Sequence, residues 1–180
     1  MTIVRRLAAA IVVFAGLAAI WLFCIQPYEC NRVKRRATNV TEAVYQRGDT
    51  PEAKIIARRN LDVLDACMRV TCRDVSVDMI AAANLRAIGR HDDAIATYRH
   101  ALTLDRRPEI YLNMASSELA LGDRNAARDD TMRATMFNPW LIAHIDDGLL
   151  RQEIVKQMIA LRPENADFIH YVDNLPLAPN

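Results

Sequence analysis

Two stretches of this chain repeat one spacing of turn, small and apolar residues 33 positions apart: Gly89, Ala94, Tyr98 and Ala101 line up with Gly122, Ala127, Thr131 and Ala134. A period near 34 that mixes a turn glycine with small and apolar residues belongs to stacked helical hairpins. Each hairpin covers its apolar face only by packing on the next, so this spacing constrains the fold more than any other feature. Such stacks present surface for binding and seldom carry chemistry.

The residues between these landmarks agree. Ala81, Ala82, Leu85 and Ile88 share one helical face, and Gly89 supplies the left-handed residue that ends many helices. Ala94, Ile95, Tyr98, Ala101 and Leu102 form the apolar stripe of the next helix. Pro108 opens a second unit, where Tyr111, Met114, Ala115 and Leu119 repeat the inner face. Gly122 then stops that helix, and Asn138-Pro139 closes the unit. With 5 Gly and 7 Pro in 180 residues, and no sustained alternation of apolar and polar residues, the fold class is all-α.

These residues resemble the tetratricopeptide repeat family. The family's first-helix signature appears as Tyr111, Asn113, Met114, Ala115 and Gly122. Its second-helix signature appears as Ala94, Tyr98 and Ala101, with Arg106 where proline is expected. The agreement covers residues 75–139, with Thr131 in the aromatic slot of the later unit. The resemblance implies a short α-solenoid whose first helices line a concave groove. By register those groove residues are Met79, Ala83 and Arg86, then Leu112, Asn113, Ser116 and Leu119. A protein or peptide partner is expected there. Of the basic and amide residues with which some relatives hold a carboxylate, only Asn113 is present.

The amino terminus is a different material. Residues 7–25 carry no charge and follow Arg5 and Arg6. As a helix they rise roughly 28 Å, enough to cross a hydrocarbon core. The run is longer than the apolar part of a cleaved signal peptide, and its exit over Trp21 to Pro27 lacks a small-x-small site, so an uncleaved anchor is expected. Trp21 and Tyr28 suit the membrane interface, and Pro27 disfavours helix at Gln26 and marks the exit. Sidedness is contested: Arg32, Lys34, Arg35 and Arg36 after the span favour a cytosolic domain, whereas a short basic head before an apolar run is how export signals begin. We expect export, with the anchor in a bacterial inner membrane and the repeats in the periplasm.

An irregular unit links anchor and repeats. Gly48, Thr50 and Pro51 read as a helix stop, an N-cap and a first helical residue. A long helix over 51–70 is expected, with Ile55, Ala57, Leu61, Leu64 and Met68 facing inward and a partner over about 39–47. Cys67 and Cys72 are a candidate disulfide only if the helix ends between them, because five residues turn them about 140° apart. A buried free thiol is the competing reading for Cys67. Past Pro139, a helix over 149–161 with Ile154, Met158 and Leu161 on one face is expected to close the stack. The expected map is thus 1–27 anchor, 28–50 juxtamembrane segment and first helix, 51–74 long helix, 75–107 and 108–140 repeats, 141–162 cap and 163–180 tail. The tail either packs on the cap or lies in the chain's own groove.

Chemistry is not visible. The four His lack metal spacing, and there is no glycine-rich phosphate loop or nucleophile–base set, so no catalytic residue, metal or cofactor is expected. The doublets Asp92-Asp93, Asp129-Asp130 and Asp146-Asp147 are the only acid pairs to consider. With 23 Lys plus Arg against 22 Asp plus Glu, nothing in the charge favours nucleic acid. The expectation is a membrane-anchored adaptor or scaffold, an ancillary subunit of an envelope or export complex. A cytosol-facing receptor for amphipathic targeting peptides is the alternative, and self-association through open repeat faces a third reading.

Overall fold

The computed structural model describes residues 2–68 and 74–175, which are helical without strands. They fall into two compact units, Met1–Arg73 and Asp74–Asn180.

In the first unit α1 (Thr2–Ile20) runs without a break through a π-helical segment (Trp21–Ile25) into α2 (Gln26–Arg47). This is one helix near the N-terminus long and apolar enough to cross a membrane, with a mean hydropathy of 2.1 over its most apolar window. The break expected at Pro27 does not occur. The Gln26 N–H reaches back to Trp21 O, five residues rather than four. That widened turn comes just where the proline ring would crowd the carbonyl of the preceding turn, so the helix passes through it.

Helix α3 (Pro51–Met68) begins as its sequence suggests: Gly48 has φ 64°, and the Ala53 N–H donates to Thr50 Oγ1 at 3.2 Å. It packs back on α2, the longer form of the partner expected over 39–47. Its inner face differs from expectation. Ala53, Ala57, Asn60 and Leu64 are buried, Leu61 is half-buried and Ile55 lies outside at 49% exposure. The stripe 53-57-60-64 is helical, and a polar Asn60 sits in it, which hides the true face from a hydrophobicity reading. Asn60 is at home there because its Nδ2 donates to Ala37 O at 3.0 Å and to Thr41 Oγ1 at 3.1 Å. Cys24 is free and Cys30, in α2, is disulfide-bonded. The side chains of Cys67 and Met68, and the whole of Cys72, lie outside the described residues.

The second unit opens with two helical hairpins, α4 (Val75–Ala87) with α5 (His91–Leu104) and α6 (Pro108–Ala120) with α7 (Arg124–Phe137). Within each pair the helices pack together, α5 packs on α6, and the first helices α4 and α6 touch. The sequence offset reappears in the backbone. The Arg90 N–H reaches Leu85 O and the Gly89 N–H reaches Arg86 O, both at 2.9 Å. Thirty-three residues on, Asp123 reaches Glu118 O at 2.9 Å and Gly122 reaches Leu119 O at 3.0 Å. Both glycines sit in the left-handed region, φ 82° and 81°. This pair of bonds closes a helix whose next residue is left-handed. Ala94, Ala101, Ala127 and Ala134 are fully buried, as are Tyr98 and Thr131, so every landmark after the glycines lies at a helix–helix contact.

Beyond α7 a 3-10 helix (Pro139–His144) leads to α8 (Gly148–Leu161) and α9 (Ala166–Asp173). Leu141, Ile142, Ile145, Leu150, Ile154, Met158 and Phe168 form one cluster with Leu112 and Ala134. The buried stripe of α8 is 150-154-158, and Leu161, expected inside, is 60% exposed. The tail expected after residue 163 contains α9, which packs on this cap: Phe168 enters the cluster and the Tyr171 ring meets Trp140 edge-on at 4.5 Å. A Cβ added at Gly122 would meet no atom within 4 Å. The Gly122→Ala chain therefore feels only its backbone conformation, and urea unfolding should show a loss of about 1 kcal/mol.

Candidate functional site

The second unit carries a cavity of about 340 Å³ lined by Arg86, Glu109, Leu112, Asn113, Ser116, Leu141, His144 and Asp146. Three elements build its walls. Arg86 comes from the last turn of α4; Glu109, Leu112, Asn113 and Ser116 come from one face of α6; Leu141, His144 and Asp146 come from the 3-10 helix and the turn after it. Four of the seven residues predicted from the repeat register meet here: Arg86, Leu112, Asn113 and Ser116. Met79 and Ala83 are half-buried on α4 without lining the cavity, and Leu119 packs against the core cluster.

Leu112 and Leu141 are buried and form the apolar floor. Glu109, His144 and Asp146 are exposed around it, while Asn113 and Ser116 are half-buried. The Ser116 hydroxyl is already used, donating to Leu112 O at 3.2 Å. The Asp146 rim is firmly held. Ile145 before it is buried, and its carbonyl accepts from Arg151 Nε and Nη2 at 2.9 and 2.6 Å. Asp147 after it caps α8, accepting the Leu150 N–H at 2.6 Å, and pairs with Arg124 at 3.3 Å. The Leu150 hydrogen bond first, and Arg124 after it, hold the Asp147 carboxyl below the usual carboxylate range.

Sequence reasoning missed Glu109, Leu141, His144 and Asp146. Glu109 looks like an ordinary first-turn acid after Pro108. The other three lie where the repeat pattern has decayed, so no register could assign them to a wall. Their one legible signal was the Asn138-Pro139 stop, which turns the chain; the Trp140 N–H donates to Asn138 Oδ1 at 3.2 Å there.

In the acidic doublets one member of each is engaged elsewhere: Asp93 binds Arg90, Asp129 binds Arg128 and Asp147 caps α8. Asp130 instead turns inward against Glu118 of α6, which is 4% exposed. Burial and then the Asp130 carboxylate push Glu118 up to about 7, with Arg99 opposing and Asp123 adding to the rise. Burial also raises Asp130, against the pull of Arg133 and Arg99. Among the described residues no three His, Cys, Asp or Glu side chains are grouped to hold a metal ion.

No protein-family model, curated protein or solved structure matches the chain.

The Glu118 shift sets a pH dependence. The folded chain keeps a proton there that the unfolded chain has released once pH exceeds 4.5, so stability falls as pH rises toward 7 and the full penalty stands above it. Glu118→Gln should flatten this window. Urea unfolding in detergent should show the variant gaining about 2 kcal/mol on wild type between pH 5 and pH 8.

Proposed function

We propose that the chain is a single-pass membrane-anchored adaptor built from tetratricopeptide-like hairpins, which captures an extended peptide segment of a partner protein in the cavity between α4, α6 and the 3-10 helix. The cavity is the observation that carries this reading. Its volume, about 340 Å³, is at the small end of ligand sites, which span roughly 300–1,000 Å³. It has room for a few side chains and not for a folded domain. The apolar floor of Leu112 and Leu141 would take a side chain, and the Asn113 amide offers a donor and an acceptor for a peptide main chain. Support for the tetratricopeptide-like reading comes from the 33-residue offset shared by sequence and helix-closing bonds.

The apolar helix near the N-terminus would be the anchor, and the repeats would serve an envelope or export complex from the exported side. Cys30, five residues past the apolar run, is disulfide-bonded, which supports an oxidising compartment on the carboxyl side of the anchor. The basic residues Arg32, Lys34, Arg35 and Arg36 favour the second reading, a cytosol-facing receptor for amphipathic targeting peptides. The disulfide weighs more, because cytosolic thiols are kept reduced.

Both parts are testable in the native membrane. A photo-crosslinking residue at position 113 should capture a discrete partner, the same residue at exposed position 129 should not, and Ser116→Trp should abolish the adduct by filling the cavity. Equal labelling from 113 and 129 would reject the cavity as the docking site. In spheroplasts, added protease should digest the repeats; their protection would favour the cytosol-facing receptor.

A further inference from the structure

We infer that the cavity selects a cationic segment, a Lys or Arg side chain beside an apolar one, an inference that rests on the peptide-capture reading above. The charge on its walls is not balanced. Two carboxylates, Glu109 and Asp146, face one guanidinium, Arg86, and the His144 imidazole. Arg86 is already engaged within the protein, whereas Glu109 and Asp146 make no side-chain hydrogen bond or ion pair among the described residues.

Several other acids of this unit have partners: Asp78 lies 2.6 Å from His100 Nδ1, Asp105 pairs with Arg107 at 2.6 Å, and Glu153 with Arg128 at 3.7 Å. The two unpaired cavity carboxylates come from different elements. Glu109 is carried by the first turn of α6, and Asp146 is held between buried Ile145 and the α8 cap Asp147. They are therefore presented by anchored backbone on two walls of one concavity, where an incoming ammonium or guanidinium can reach either. The floor of Leu112 and Leu141 completes the match. Lys and Arg lay a methylene stem on apolar surface while the charged head stays among polar groups, and a neighbouring apolar side chain can use the same floor. An acidic segment would meet two like charges that lack internal partners, so the rim also repels the wrong ligand.

The test uses the full chain in phosphatidylcholine nanodiscs and three fluorescein-labelled peptides, Ser-Gly-Leu-Xaa-Leu-Gly-Ser, with Lys, Gln or Glu at the centre. Fluorescence anisotropy should rank them Lys, Gln, Glu, with the Lys peptide about tenfold tighter than the Glu peptide. Glu109→Gln together with Asp146→Asn should erase that difference, raised salt should narrow it, and Ser116→Trp should abolish binding of all three. Equal binding of the three peptides, or tightest binding of the Glu peptide, still lost in Ser116→Trp, overturns the cationic selectivity and leaves peptide capture standing. Binding that Ser116→Trp does not alter, or no binding by any peptide, overturns both.

Discussion

Close approach of helix backbones at alanine is the constraint on which the second unit depends. Ala82, Ala94, Ala101, Ala127 and Ala134 are fully buried and present a single methyl to their neighbours. Neighbouring helices can then close to within touching distance along much of their length, and many small dispersion contacts add up. Larger residues fill the gaps that alanine leaves, Tyr98 and Ile110 among them. Left-handed glycines at 89 and 122 make the contact repeatable, since they turn each first helix directly into its second. The change from Tyr98 to Thr131 comes where the environment changes: α5 is followed by another repeat helix, α6, but α7 is followed by the 3-10 helix and α8. Thr131 and Thr135 satisfy their buried hydroxyls by donating to carbonyls of their own helix, Ala127 O at 2.7 Å and Thr131 O at 2.9 Å.

Polar groups inside these packed layers act as locators. Asp78 of α4 meets His100 of α5, and Asn60 of α3 bridges to Ala37 and Thr41 of α2. A buried amide left without partners would be expensive, so Asn60 favours the one alignment of α2 and α3 that supplies them. Glu118 and Asp130 are the exception, because two acids face each other between α6 and α7. Their mutual repulsion is avoided while Glu118 keeps its proton, which ties the packing of that hairpin to pH.

The cap shapes the candidate site as much as the repeats do. It covers the open edge of α6 and α7 with Leu141, Ile142, Leu150, Ile154 and Phe168, and the same turn that brings Leu141 inward raises His144 and Asp146 as a wall. A surface that would otherwise be an open face of α6 becomes a concavity. Under the proposed role, the segment that ends the stack also adds Asp146 to the charge that Glu109 of α6 gives the docking site.

Local chemistry alone determined much of this protein. The all-helical class, the 33-residue offset, the glycine stops at 89 and 122, the start of α3 at Thr50 and Pro51, and the apolar helix near the N-terminus all follow from backbone preferences and hydrophobic spacing within one or two helices. Four cavity residues followed as well, because α4 and α6 keep the repeat register. Only the tertiary structure decided which face of α3 lies inside, since Asn60 is buried and Ile55 is not once α2 supplies hydrogen bonds to the amide. It alone decided that Leu150 rather than Leu161 enters the cap, and that Glu109, His144 and Asp146 face one hollow. Side-chain polarity is a local property, but burial depends on what a distant segment brings to the contact, and no period in the chain records that.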